Sequence, residues 1–351
     1  MSQKDIVLTQ KNILSTQNQL ALSQKHLFFT PQNIVFSCRH IVFFSRNIVS
    51  SIPTIYCSEN NIKTKAKSRH KTYSFQNFIP HSLIYPYFSA VKKLFLATNY
   101  LLYRLKSTSE HGVHSPFVFD LVTNVIYNKS DFYAYKEIEA LRTHLLESEK
   151  TIEFEDLGAG SLKTQSKKRK IEEIVKYSVK PKKYSQLLFR LVNHFQPTQI
   201  LELGTSLGIT TSYLARANSK AKIISVEGSK EIAAIATENF SQLEIQNIEQ
   251  LIGNFDDVLP SVLNKTEKLD FVFFDGNHQK QATLNYFKQC LNKANENSVF
   301  VFDDIYWSSG MKQAWQEIKN NKKVTVTIDL FFFGIVFFRK EQVKQHFIIK
   351  Y

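Results

Sequence analysis

Cysteine is nearly absent: Cys38, Cys57 and Cys290 are the three in a chain of 351 residues, with no CxxC spacing. That argues against a thiolate zinc site and a disulfide framework, and it suits a reducing cytoplasm. Long hydrophobic runs are missing too. No stretch reaches about 18 uninterrupted apolar residues, so no membrane span is expected. The opening Met1-Ser2-Gln3-Lys4-Asp5 lacks the charged-then-apolar plan of a secretory signal. The chain also lacks the G-x-G-x-x-G loop that cradles a pyrophosphate, and any Asn-Pro-Pro-Tyr-like segment.

Acidic residues are in deficit, 31 Asp+Glu against 45 Lys+Arg, for a net charge of +14. The excess is uneven. Residues 1–179 hold 24 basic and 14 acidic side chains, whereas residues 180–351 hold 21 and 17. A basic excess attracts nucleic acid or anionic surfaces in general. Here it forms no compact Arg/Lys stripe, so nucleic-acid binding is not the expectation. Aromatics are plentiful, with 29 Phe and 15 Tyr. Many Phe residues fall at expected strand ends and read as core.

Three regions are expected. Residues 1–85 form a leader and linker whose first part repeats every seven residues: KDIVLTQ, KNILSTQ, NQLALSQ, KHLFFTP, QNIVFSC, RHIVFFS, RNIVSS. The paired apolar residues do not alternate three and four apart, so this is no coiled-coil seam. Its composition points to disorder. Residues 86–179 read as a helical extension or lid. In it Val91, Leu94, Phe95, Leu101, Leu102 and Leu105 predict an amphipathic helix over 88–105, packed on the domain that follows. His111 and His114 lie three apart before Pro116 and read as a turn ahead of a helix rather than as metal ligands. Residues 155–170, rich in glycine and then lysine, read as a loop over a site.

Residues 180–351 alternate short apolar runs with helical spacing. Strands are expected at 199–203, 222–227, 248–252, 269–275 and 298–303, closed by a pair at 324–330 and 334–339. This predicts an α/β, Rossmann-like fold with a seven-stranded, mostly parallel sheet and a terminal antiparallel hairpin strand.

The chemistry gathers where those strands end. Ile200-Leu201-Glu202-Leu203-Gly204-Thr205-Ser206-Leu207-Gly208 runs from strand to glycine loop to helix. Gly204 lets the chain turn sharply and a ligand approach closely. The carboxylate of Glu202 opposes a pyrophosphate and suits a cationic amine. Glu227 ends the next strand, where an acid accepts hydrogen bonds from ribose hydroxyls. Asn254 and Phe255 follow the third strand, where an adenine ring would lie. The fourth ends at Asp275 and is followed by His278; the fifth ends at Asp303 and Asp304. Three carboxylates on adjacent strand tips need a counter-charge. One of them is protonated, or a basic group intervenes, or a divalent cation such as Mg2+ is held there. Asp275 and His278 are the expected catalytic pair, with His278 as the candidate base. Asp275, Asp303 and Asp304 are the candidate metal ligands.

The segments HGVHSPF, LELGTSLGITTSYLA, DGNH and DDIYWS resemble the class I S-adenosylmethionine-dependent methyltransferases, over about residues 111–351. The resemblance implies that Glu202, Gly204, Thr205, Ser206, Gly208, Glu227, Asn254, Phe255 and Asp275 bind S-adenosylmethionine. DGNH and DDI are similar to segments of catechol-type and antibiotic-tailoring O-methyltransferases, which place a metal between these two strand ends. Where the catechol-type enzymes carry Asp-Asn, this chain has Asp303-Asp304. The function implied is O-methylation of a small-molecule acceptor. The rivals are a methyltransferase acting on RNA or protein, a nicotinamide-dependent oxidoreductase, and a non-catalytic S-adenosylmethionine-binding protein. Oligomeric state has no signature in the sequence.

Overall fold

The computed structural model describes residues 81–153 and 168–351, with side chains from residue 92 onward, and four short strands between residues 27 and 56. The chain divides into two units, residues 1–78 and 79–351. In the first, strands Leu27–Phe29, Ile34–Cys38, Ile41–Phe43 and Ile55–Tyr56 pair antiparallel in that order. The rest of the leader, and with it the expectation of disorder, lies outside the described residues. So does the expected loop over the site. Its two arms, Thr151–Glu153 and Lys168–Lys170, pair antiparallel.

Period-two alternation sets the architecture of the second unit. Its strands are β1 (Gln199–Leu203), β2 (Lys222–Glu227), β3 (Ile248–Ile252), β4 (Leu269–Phe274), β5 (Ala294–Phe302), β6 (Val326–Asp329), β7 (Gly334–Phe337) and β8 (Gln345–Ile348). On β4, Phe271 and Phe273 join one core, while Val272 and Phe274 join another. Residues two apart on a strand share a face, so a strand apolar at every position must be covered on both sides. Helices supply those covers. Leu187, Leu188 and Leu191 of helix Lys182–Phe195 and Tyr213 and Leu214 of Ile209–Ala217 pack with Phe271 and Phe273. Leu259 of Phe255–Lys265, Phe287 of Lys280–Leu291 and Trp315 of Ser309–Asn320 pack with Val272 and Phe274.

The sheet order is β8-β6-β7-β5-β4-β1-β2-β3. β7 runs antiparallel to both its neighbours, and β6–β7 is the expected hairpin. The seven expected strands are all present. An eighth, β8, pairs parallel with β6 at the edge. It is four residues long and follows a charged stretch, too short for alternation to announce it. Successive strands run one way from β1 and the other way from β4. The order therefore reverses between β1 and β4, the place where open α/β sheets hold a ligand at the carboxyl ends of their strands.

The 86–179 segment contributes to the same core as the sheet. Val118 and Leu121 of helix Pro116–Leu121, Val125 and Ile126 of the following π-turn, and Ile138 and Leu141 of helix Tyr133–Leu146 all lie in the first core. Ser115 caps the first of these helices through Val118 N–H, and Pro116 stands at its first position, as the motif predicts. Arg190, buried, donates to the carbonyls of Val125 and Ile126 and so satisfies the end of the π-turn.

Helix α1 spans His81–Lys106, but its packing differs from expectation. It docks by Asn99 and Tyr103, not by its leucines. Tyr103 O–H donates to Ile349 O at 2.6 Å, and Lys312 Nζ donates to Asn99 Oδ1 at 2.7 Å. Leu94, Leu101 and Leu105 remain 66, 61 and 75% exposed. The surface offered to the helix combines the carboxyl end of the chain, where the Ile349 carbonyl and the Tyr351 N–H meet Tyr103, with the Phe331 ring, which Tyr100 and Tyr103 contact.

Candidate active site

The glycine bend after β1 is fixed by its neighbours on both sides. Gly204 N–H and Thr205 N–H donate to Val226 O of β2, and Asp275 N–H donates to Leu203 O of β1. Gly204 has φ +112°, and a Cβ there would overlap the Asp275 carbonyl oxygen. Only glycine lets the β1 and β4 tips come this close. Three other residues beyond strand tips, Ser206, Asn277 and Asp304, have φ of 49, 48 and 52°. Left-handed backbone at non-glycine positions is uncommon and gathers at functional loops.

The first acidic pair flanks this bend. Glu202 is fully buried, and its Oε2 accepts from Thr211 Oγ1 at 2.5 Å and Ser225 Oγ at 2.6 Å. Its Oε1 is buried with no hydrogen-bond partner. Burial raises the Glu202 carboxyl from 4.5 to about 7, against the two hydroxyls that favour the anion, with Glu227 adding to the rise. Glu227 Oε2 accepts from Ser206 N–H at 2.8 Å, and its Oε1 from Ser229 N–H at 3.1 Å. It thereby ties the glycine loop to the second strand tip. Thr205 Oγ1 lies 2.6 Å from Ser225 Oγ, inside the same network. Gly208, with φ +76°, opens the helix Ile209–Ala217, and Phe240 fills the space a Cβ would need.

Asn254 has a local duty. It caps helix Phe255–Lys265 by accepting from Asp256 N–H at 3.0 Å. The Phe255 ring lies against Gly276 and meets Tyr286 edge-on at 5.9 Å. It thus lines the approach to the β4 tip.

The second acidic group is at β4 and β5, and it holds a residue that sequence reasoning missed. Lys180 Nζ lies 3.0 Å from Asp275 Oδ1 and forms an ion pair and hydrogen bond with Asp303 Oδ2. Its side chain is 13% exposed. Burial would pull the ammonium down, but Asp275, Asp303 and Asp304 together outweigh it and hold it protonated. Burial pushes the Asp275 carboxyl well up, with Lys180 opposing and Asp303 adding to the rise. Asp304 is raised by burial first and by Asp303 next. Of the three ways to balance the carboxylates, the structure uses the intervening base. The signal was present in the sequence as the run Lys180-Pro181-Lys182-Lys183, just where the domain begins. Nothing in spacing alone aimed it at β4 and β5.

His278 Nε2 lies 3.9 Å from Asp275 Oδ1, too far for a hydrogen bond. Burial lowers its pKa to about 4 although Asp304 favours the charged form, so the imidazole is neutral near pH 7. Asp275, His278 and Asp303 are the group whose ligand atoms come within 4.8 Å of one another among the described residues; Asp304 is outside it. A hard divalent cation between Asp275 and Asp303 would sit about 2.0–2.6 Å from their oxygens. The Lys180 ammonium holds that place, so the residues as arranged do not fit a metal. Lys92 completes the rim, 3.0 Å from the centre of the Trp307 ring. Burial lowers its pKa to about 8, with Asp304 opposing. His111 and His114 stay away from this site. His111 faces solvent beside Glu110, and among the described residues neither histidine joins a group of three possible ligands.

A reversed strand order with a glycine bend and acids on both flanking tips is a Rossmann-like α/β arrangement. Residues 201–305 match the sequence profile of a family described as a methyltransferase domain. That match, about a third of the chain, makes this stretch similar to a methyltransferase domain, and the curated relatives it resembles are O-methyltransferases. O-methyltransferase imqG of Aspergillus flavus is 30% identical over 130 residues, which is 35% of this chain and 51% of that protein. A catechol O-methyltransferase of Niastella koreensis is 31% identical over 126 residues, 35% of this chain and 55% of that protein. The chain thus spans about half the length of the curated relatives it matches. Among solved structures, the SAH-bound methyltransferase PaMTH1 of Podospora anserina aligns with a TM-score of 0.46 at 13% identity, over 65% of this chain and 98% of that one. No described helix is long and apolar enough to cross a membrane.

Proposed function

We propose that this protein transfers a methyl group from S-adenosylmethionine to an oxygen of a small-molecule acceptor. One observation carries the reading: the buried, unpartnered Oε1 of Glu202 beside the glycine bend. A buried carboxylate oxygen without a donor is rare and calls for one. The amine of the donor's amino-acid end supplies it, directly or through water. Glu227, on the neighbouring tip, is in reach of ribose hydroxyls across the same bend.

When bound, S-adenosylmethionine supplies a methyl carbon on a positively charged sulfur. The acceptor oxygen forms the new O–C bond, and the pair of the broken C–S bond stays on sulfur. The acceptor's proton passes to a base. Asp275 is placed for that role at the β4 tip, against Lys180, whereas burial depresses the His278 imidazole to about 4. A base is most effective when its affinity for protons approaches the working pH. His278 then acts as a neutral hydrogen-bonding group at the rim. Most of the rate comes from holding the two reactants in line.

In this reading residues 180–351 form the transferase domain, residues 86–179 its helical cover, and residues 1–85 take no part in the chemistry. The test is calorimetric titration of the full chain with S-adenosylmethionine, S-adenosylhomocysteine and NAD. The first two should bind at one site and NAD should not. Binding of NAD alone would replace this reading with an oxidoreductase.

A further inference from the structure

We propose that Lys180 is the resident cation of this site, standing in for a divalent metal and giving its third N–H to the acceptor oxygen. The inference rests on the methyl-transfer reading and goes further, to how the acceptor is held. Three observations support it. Lys180 Nζ contacts Asp275 at 3.0 Å and also Asp303, and these are the two carboxylates of the metal-like group. An ammonium carries three donors, and those two oxygens take two of them. The side chain is 13% exposed, and among the described residues no third oxygen accepts from Nζ, so one N–H is left over.

The electrostatics follow from the geometry. Carboxylates on adjacent strand tips repel, and either a divalent ion or a lysine relieves this. The lysine does so from within the chain, with no ion to acquire. It comes from the segment entering helix Lys182–Phe195, which packs against the sheet through Leu187, Leu188 and Leu191. The covalent frame of the domain therefore fixes its place.

The two cations hold an acceptor differently. A metal ion with open positions can bind two neighbouring oxygens at once, whereas a single N–H binds one. The acceptor is therefore gripped through one oxygen, and the site does not require a vicinal diol. As that oxygen takes the methyl, its proton passes to Asp275, and Lys180 steadies the negative charge that develops on the oxygen.

The test is Mn2+ binding, followed by electron paramagnetic resonance on the full chain. Wild type, Lys180→Met, Asp303→Asn and the double variant Lys180→Met with Asp303→Asn are compared, each with and without S-adenosylhomocysteine. The expected result is no Mn2+ site at this position in wild type, one in Lys180→Met, and its loss in the double variant. An Mn2+ site in wild type that Asp303→Asn removes overturns the proposal. Failure of both wild type and Lys180→Met to bind Mn2+ overturns the claim that Lys180 fills a metal position. Should Lys180→Met not fold, Lys180→Gln replaces it under the same criteria. Binding of S-adenosylhomocysteine is read in the same samples. Its absence would count against the methyl-transfer reading, while the Mn2+ result still decides the role of Lys180.

Discussion

The two ends of the crevice meet the same difficulty in opposite ways. At β1 and β2, Glu202 and Glu227 are held by hydroxyls and backbone amides, and one buried oxygen of Glu202 is left without a donor. At β4 and β5, Asp275 and Asp303 close on Lys180. The first pair keeps one buried Glu202 oxygen without a donor, whereas the second takes its positive charge from the chain. Acids at strand tips therefore do not by themselves predict a bound cation; what faces each oxygen decides.

Removing the chain's own cation should have the largest effect. Lys180→Met leaves buried carboxylates uncompensated, a change that typically costs about 3–5 kcal/mol. Urea unfolding should show a loss of that order, and restoring most of it with Asp303→Asn would tie the loss to charge. A loss below about 1 kcal/mol would mean the pair is no stronger than a surface contact.

The contrasting pair should show itself through pH. The Glu202 carboxyl is raised from 4.5 to about 7 in the folded chain. Its contribution to stability is fully present below the unfolded value and is lost as pH rises through the folded one. The ligand-free protein should lose on the order of 3 kcal/mol from this group between pH 4.5 and pH 8, at 1.36 kcal/mol per pH unit. Glu202→Gln should flatten that slope in chemical denaturation, and an unchanged slope would assign the loss elsewhere.

Glu227 gives a smaller effect, on binding rather than folding. Hydrogen bonds to a charged group are worth about 1.5–3 kcal/mol each. Glu227→Ala should therefore weaken S-adenosylhomocysteine by roughly 10–100-fold in calorimetry. Unchanged affinity would place the ribose away from β2. Lys92→Ala should matter least. A cation over an exposed aromatic ring contributes about 0.5–1 kcal/mol, so the variant should shift stability by no more than that and leave S-adenosylhomocysteine affinity unchanged.

These differences also mark what the sequence could tell. Short continuous apolar runs on β4 and β5, and the glycine bend after β1, announce the sheet and the position of the crevice. They do so because strand period and glycine stereochemistry are local properties. Glu202, Glu227, Asp275 and Asp303 follow from the same rule, since strand ends can be read from the pattern. Lys180 could not be placed this way. It is the first residue of the domain, far from β4 and β5 in sequence, and reaches them only through tertiary packing. The need for a positive charge there was legible, but the residue that meets it was not. Helix α1 teaches a related lesson. Its leucines form a plain apolar stripe, yet Tyr103 and Asn99 dock it, because the chain's carboxyl terminus presents carbonyl and N–H groups that leucine cannot satisfy.

The most direct test of the contrast is the proton balance of S-adenosylhomocysteine binding. Calorimetry at pH 6, in buffers of different ionisation enthalpy, reads it. If the ligand's amine meets Glu202, a carboxyl that is mostly protonated in the free protein ionises on binding. The account predicts net release of up to about one proton per ligand in wild type and none in Glu202→Gln. Binding with no proton release in wild type, and with equal affinity in Glu202→Gln, would contradict it.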